Sequence, residues 1–149
     1  VGLNIEAVES TDVTIAETTG LADTLLNIIP KNVIGSMADG DMLARAFSNL
    51  IGNAVKYGKD GKNIRIHMKR TGEQAVISII NYGKVIPEKD LEYIFDRFYR
   101  VEGSRSEETG GSGLGLAIAK RIVVMHGGTI KARSGMEGTV FEVSLKVLN

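Results

Sequence analysis

Three groups of residues have the chemistry to receive a ligand, two of them suited to phosphate. Residues 110–122, GGSGLGLAIAKRI, place four glycines in six residues directly before an apolar run with helical spacing. A helix opened by such a turn presents free N–H groups and the positive end of its dipole, both of which favour an anion. The pattern is not the dinucleotide fingerprint, because Gly111 and Gly113 are followed at the third position by Leu116. Nor is it a P-loop, since no Gly-Lys-Ser/Thr follows at the required spacing, and a loop rather than a strand precedes it. The second group is Asn49, Asn53 and Lys56, spaced i, i+4 and i+7. On a helix these lie within roughly 60° of one another, at about 100° per residue. The row borders the apolar stripe Leu43, Ala46, Phe47, Leu50 and Ala54 and so lines the rim of whatever that helix packs against. Carboxamides offer carbonyl oxygen to a hard cation, and an ammonium offers charge to phosphate.

The third group is the run INYGKVIPE, in which a strand reaches Asn81 and then turns through Gly83, Ile86 and Pro87. A glycine there lets a ligand or another piece of backbone come close. Arg100 and Arg105 flank the start of a polar stretch and are forked donors suited to phosphate. Taken singly, each group also fits a plainer account: a solvated helix face, a strand-to-helix turn, solvated arginines, a flexible connector. His67, in a strand, and His126, before a Gly-Gly pair, read as structural. No Ser/His/Asp set or paired carboxylates stand out.

The elements that must position these groups follow from periodicity. DVTIAE reads as a short strand, LADTLLNII as a helix stopped by Pro30, and NVIGSMAD as a strand. Asp39 or Asp41 caps a helix over about 42–57 that Gly58 ends. NIRIHMKR and QAVISIINY, joined at TGE, form an antiparallel hairpin. Residues 87–100 read as a helix with Pro87 at its first position and apolar residues at Leu91, Ile94, Phe95 and Phe98. Residues 101–113 have no apolar periodicity and read as a mobile loop. A helix over about 113–125 and a second hairpin, with Val140, Val143 and Leu145 inward, complete the chain. The mixture argues for an α+β fold with one antiparallel-rich sheet and helices on one face.

The bulk numbers narrow the class. The chain has 149 residues, 43% hydrophobic and 24% charged, with net charge zero and no cysteine. That is enough to bury one core without disulfides, and the neutral balance gives no electrostatic footprint for nucleic acid or an anionic membrane. No apolar run approaches the roughly 18 residues that span a bilayer. The chain starts with Val, which suggests an excised fragment, and has no basic signal-peptide start; the lack of cysteine is compatible with a cytoplasmic setting.

In order, NLIGNAVKYG, NYGKVIP, IFDRFYR, GGSGLGLAIAK, HGGTI and GTVFEV resemble the N box, first G box, F box, second G box and closing strands of the ATP-binding catalytic domain of bacterial sensor histidine kinases. The resemblance covers about 39–145 and is looser over 1–38. The run FYRVEGSRSEETGGSGLGLAIAK looks closest to sensor kinases of glycopeptide-resistance operons. It implies a Bergerat-type α/β fold, an α+β two-layer sandwich with a mixed sheet of about five strands backed by three helices. Residues 39–149 would be the ATP-binding core. Residues 1–38 would be its N-terminal strand and helix portion, including any linker from a dimerisation domain.

The same resemblance implies ATP and Mg²⁺ as ligands. It assigns Asn53 to the metal, Asn49 and Lys56 to the phosphates, and Tyr57 to the adenine or ribose. Asn81, Gly83 and Ile86 would line the base site, with Thr139 behind it. Arg100 and Arg105 would approach from the lid, and the turn through Gly111, Gly113, Leu114, Gly115 and Leu116 would cradle the phosphates. The family's first G box begins with Asp, where this chain has Asn81. The partners implied are a histidine-bearing dimerisation domain of the same kinase and, through it, a response regulator. The acceptor histidine lies on that separate domain, and neither His67 nor His126 has its surroundings. The alternatives are an ATPase of the same fold, like type II topoisomerases and Hsp90, and a docking module that has lost nucleotide. An ATPase of that class carries a glutamate base where Asn49 stands, and an amide cannot take a proton from water.

Overall fold

The computed structural model describes residues 11–14, 40–58, 63–101 and 113–146. The expected elements over 21–38 lie outside these. The elements are β1 (Thr11–Thr14), α1 (Gly40–Tyr57), β2 (Asn63–Thr71), β3 (Gln74–Asn81), the single turn α2 (Glu88–Leu91), α3 (Gly115–Met125), β4 (Thr129–Gly135) and β5 (Gly138–Lys146).

The five strands form one sheet in the order β1-β2-β3-β5-β4. Every described pairing is antiparallel, where a mixed sheet was expected. Two-residue turns close β2 onto β3 and β4 onto β5, and such hairpins force antiparallel neighbours. The order places β5 rather than β4 beside β3, so Asn81 stands opposite Thr139, and Thr139 opposite Ser134.

Alternation along β3 and β5 turns Ala75, Ile77, Ile79, Phe141, Val143 and Leu145 to one face, all fully buried. Onto that face α1 lays Leu43, Ala46, Phe47, Leu50 and Ala54, and α3 lays Ala119, Ile122 and Val123. The stripe read from the sequence is therefore the core stripe. Asp41 in the first turn of α1 and Lys56 in its last suit the helix dipole.

The expected helix over 87–100 shrinks to one turn. Pro87 is its N-cap, not its first residue. Beyond Leu91 the chain proceeds by turns, and Phe98, 69% exposed, adopts a left-handed φ of 65°. Leu91, Ile94 and Phe95 do pack on the core, and Phe95 meets Phe141 edge-on at 6.2 Å. The spacing was helical, but these residues pack on the core through successive turns instead.

Candidate functional site

Helix α1 carries the polar row on its rim as expected: Asn49, Asn53 and Lys56 are all half-buried beside the core stripe. The first residue of α3 lies directly against this row, since a Cβ on Gly115 would stand 3.9 Å from Asn49 Cγ. Leu114, the N-cap of α3, makes no side-chain capping bond, so the helix opens with backbone N–H groups beside Asn49. Asn49 Nδ2 is itself buried without a hydrogen-bond partner. Donors thus converge where α1 and α3 meet.

A second set gathers at the other end of α1. Asn81 ends β3, is 2% exposed, and its Oδ1 is buried with no hydrogen-bond partner. It lies against the last turn of α1: a Cβ on Gly58 would come within 3.2 Å of Asn81 Cβ. Gly83 is forced by the same contact, because a side chain there would collide with the Tyr57 carbonyl. Tyr57 is 38% exposed, with Lys56 Nζ 5.1 Å from its ring centroid.

Behind Asn81 runs a chain of hydrogen bonds that sequence reasoning missed in part. Ile86 N–H donates to Ser134 Oγ at 2.9 Å, and the Ser134 and Thr139 hydroxyls share a bond of 2.6 Å. Thr139 is 3% exposed. Ser134 thereby ties the turn after β3 to the sheet. Its signal was the inward alternation of β4 and its register with Thr139 across the SGMEGT turn. Asp90 was also missed: it is buried and accepts a hydrogen bond from Tyr99.

Phe98 N–H donates to the Gly113 carbonyl at 2.9 Å. Gly113 has φ 72°, and a Cβ there would stand 2.9 Å from Phe98 Cα, so only glycine fits this join. Arg100, half-buried, follows two residues later. Arg105, Gly111 and the rest of the expected loop over 102–112 lie outside the described residues. Leu116 is half-buried one residue into α3. Tyr93 has its phenol pKa raised above the ordinary value, chiefly by its hydrogen bond to Glu92 and then by that carboxylate's charge. It remains a neutral phenol at neutral pH.

The arrangement suits an elongated ligand. Asn49 and Tyr57 are eight residues apart on one helix, roughly 12 Å along its axis. One end offers amides, the other a lone carbonyl oxygen in an apolar wall with the Lys56 ammonium beside Tyr57. The two His sites take no part: His126 Nδ1 bonds the Ile122 carbonyl at 2.7 Å, and His67 lies on the opposite sheet face. Among the described residues no three His, Cys, Asp or Glu side chains gather as a metal cluster, and no helix is long and apolar enough to cross a membrane.

Comparison with known proteins matches residues 38–149 to the family described as histidine kinase-, DNA gyrase B-, and HSP90-like ATPase. The sensor protein VanS of Enterococcus faecium is 46% identical over 110 residues, 74% of this chain and 28% of that protein. The signal transduction histidine-protein kinase ArlS of Staphylococcus aureus (strain USA300) is 45% identical over 98 residues, 65% of this chain and 22% of that protein. The chain therefore spans about a quarter of the length of these relatives. Among solved structures, a mycobacterial sensor histidine kinase, MprB, superposes with a TM-score of 0.70 at 25% identity, covering 93% of this chain and 98% of that one.

Proposed function

Because this chain belongs to the histidine kinase-, DNA gyrase B- and HSP90-like ATPase family, we propose that it binds Mg-ATP and donates the γ-phosphoryl group to a histidine on a separate dimerisation domain of a two-component sensor kinase. The observation that carries this reading is the pair of buried, unpartnered amide atoms, Asn49 Nδ2 and Asn81 Oδ1, at opposite ends of one helix–sheet rim. A donor awaits an acceptor at the phosphate end, and an acceptor awaits a donor at the base end. Buried polar atoms are rarely left unpaired without a functional reason. An adenine nucleotide supplies both partners, an exocyclic amine and phosphate oxygens.

In this reading Asn81 accepts from the adenine amine, with Thr139 behind the base and Gly83, Ile86 and Tyr57 along its edge. Asn49 and the N–H groups of Leu114, Gly115 and Leu116 hold phosphate oxygens, and Lys56 adds charge. Its Nζ stands 5.1 Å from the Tyr57 ring centroid, and its flexible stem would swing the ammonium toward the phosphates. Arg100 enters beside Gly113, and Arg105 and Gly111 complete the set. Asn53 offers its carbonyl oxygen to Mg²⁺, which prefers hard oxygens and keeps several from phosphate and water. The metal would neutralise phosphate charge as the phosphoryl group departs. The rest is positioning, which is most of catalysis in phosphoryl transfer.

The amide at Asn49 supports a kinase over a water-activating ATPase, because it cannot act as a general base. The relatives' names as sensor and signal transduction kinases favour the same choice. The acceptor, the response regulator behind it and a cytoplasmic setting belong to this proposal. A calorimetric titration with Mg-ATP tests it, followed by transfer of labelled γ-phosphate to a histidine-bearing dimerisation domain supplied in trans. Saturable one-to-one binding and acid-labile label on that domain are expected. No binding at millimolar ATP would overturn the reading.

A further inference from the structure

Asp90 is an acidic side chain only 6% exposed, on a helix of four residues. A turn that short has no stability of its own, and a carboxylate is seldom buried unless a partner compensates it. The partner is the Tyr99 hydroxyl, which donates to Asp90 Oδ1. The Tyr99 ring also stacks against Tyr93, centroids 5.7 Å apart and tilted 35°. Between Asp90 and Tyr99 the chain descends by turns, Tyr93 and Ile94 N–H donating to the Asp90 carbonyl and Tyr99 N–H to that of Asp96.

The residue before Tyr99 is Phe98, at φ 65°. A bulky residue keeps a left-handed backbone only where its neighbours over-determine it. Here they do so from two sides. Phe98 N–H is held by the Gly113 carbonyl, and the next side chain is drawn inward onto Asp90. The inversion at Phe98 sends its own ring to solvent and Tyr99 into the protein. The residue after Tyr99 is Arg100. Gly113, on the other side of the join, lies two residues before Gly115, which faces Asn49. The heading of Arg100 relative to the opening of α3 is therefore set at this join.

We propose that Asp90 and Tyr99 are positioning residues: their hydrogen bond fixes the backbone heading from which Arg100 engages the terminal phosphates of a bound nucleotide. The inference rests on the nucleotide reading above, and its signature is a dependence on phosphate-chain length. A group acting through Arg100 affects ATP and leaves AMP alone. A group that merely keeps the pocket folded affects both.

The test uses the full 149-residue chain, titrated with Mg-ATP and with AMP. The variants are Tyr99→Phe, Asp90→Asn, Arg100→Ala and the double variant Tyr99→Phe/Arg100→Ala. Tyr99→Phe removes one oxygen and keeps the ring, and is expected to weaken ATP by about three- to tenfold, as loss of one hydrogen bond does. AMP should change less than about twofold, and in the Arg100→Ala background Tyr99→Phe should cost nothing further. Asp90→Asn keeps an acceptor for Tyr99 and should lose less than Tyr99→Phe. If Tyr99→Phe unfolds the chain, Asp90→Asn carries the same ATP-against-AMP comparison. Equal loss for ATP and AMP, no loss for either, or full additivity with Arg100→Ala overturns the proposal. An unsubstituted chain that binds neither nucleotide overturns the nucleotide reading itself, a result distinguishable from all of these.

Discussion

A carboxamide atom buried without a hydrogen bond costs on the order of 1–3 kcal/mol, and Asn81 Oδ1 and Asn49 Nδ2 both carry that cost in the ligand-free chain. Replacing Asn81 by Leu, similar in size and without polar atoms, should therefore stabilise the ligand-free fold by about 1 kcal/mol while abolishing most ATP affinity. Denaturant midpoints and ATP titrations on the same protein check both halves. Asn81→Asp makes the opposite trade. It buries a charge, at a cost to the stability of the unliganded fold, but would supply a charge-assisted acceptor to the adenine amine and repel the guanine oxygen. ATP should tighten several-fold, on the order of 1 kcal/mol, and selectivity over GTP should rise. Paired ATP and GTP titrations decide it; unchanged affinities would mean that Asn81 does not read the base. Asn53→Ala should weaken binding far more with Mg²⁺ present than with the metal chelated, since the role proposed for it is oxygen for a hard cation.

Among the elements, close approach explains more than propensity does. The turn after β3 passes so near the end of α1 that Gly83 has no room for a side chain beside the Tyr57 carbonyl. Gly83→Ala should destabilise the fold by about 1–3 kcal/mol, the cost of forcing backbone apart. It should also weaken nucleotide binding, because the displaced turn carries Ile86 and adjoins Asn81; denaturation and titration read the two effects. Helix α3 meets the chain through Gly113, at φ 72° against the Phe98 backbone. Alanine there combines left-handed strain of about 1–2 kcal/mol with a collision, at a point two residues from the opening of α3. The element that sequence periodicity overstated is α2. Leu91, Ile94, Phe95 and Phe98 have helical spacing, yet Phe98 points to solvent and Tyr99 inward. A local pattern of apolar residues does not reveal that the backbone inverts.

At the scale of the whole molecule, ligand and fold are linked. The proposed site is assembled from α1, the end of β3, the β4–β5 hairpin and the start of α3, so a nucleotide bound there would tie together elements far apart in sequence. At a hundred times its Kd, ATP should contribute about 2.7 kcal/mol, which for a domain of this size raises Tm by roughly 5–10 °C. A thermal melt with and without Mg-ATP measures it. The chain should not label its own histidines. His126 Nδ1 is engaged with the Ile122 carbonyl, and His67 lies across the sheet from the site. Acid-labile phosphate on either residue at a useful rate would contradict this account.

Periodicity, which is a local property, was enough to place α1, its core stripe and polar rim, both hairpins and the apolar body of α3. Six short motifs in a fixed order were enough to suggest the family and the ligand. The rest depended on contacts between residues far apart in the chain, which no local pattern encodes. Strand order put Thr139 opposite Asn81, 58 positions earlier in the chain (139 − 81). It also let Ser134 reach the Ile86 amide across 48 residues. The sequence singled out Asn49 and Asn81 by type and spacing. Only tertiary packing left one amide atom of each buried and unpaired, because burial and hydrogen-bond supply are set by neighbours from other elements.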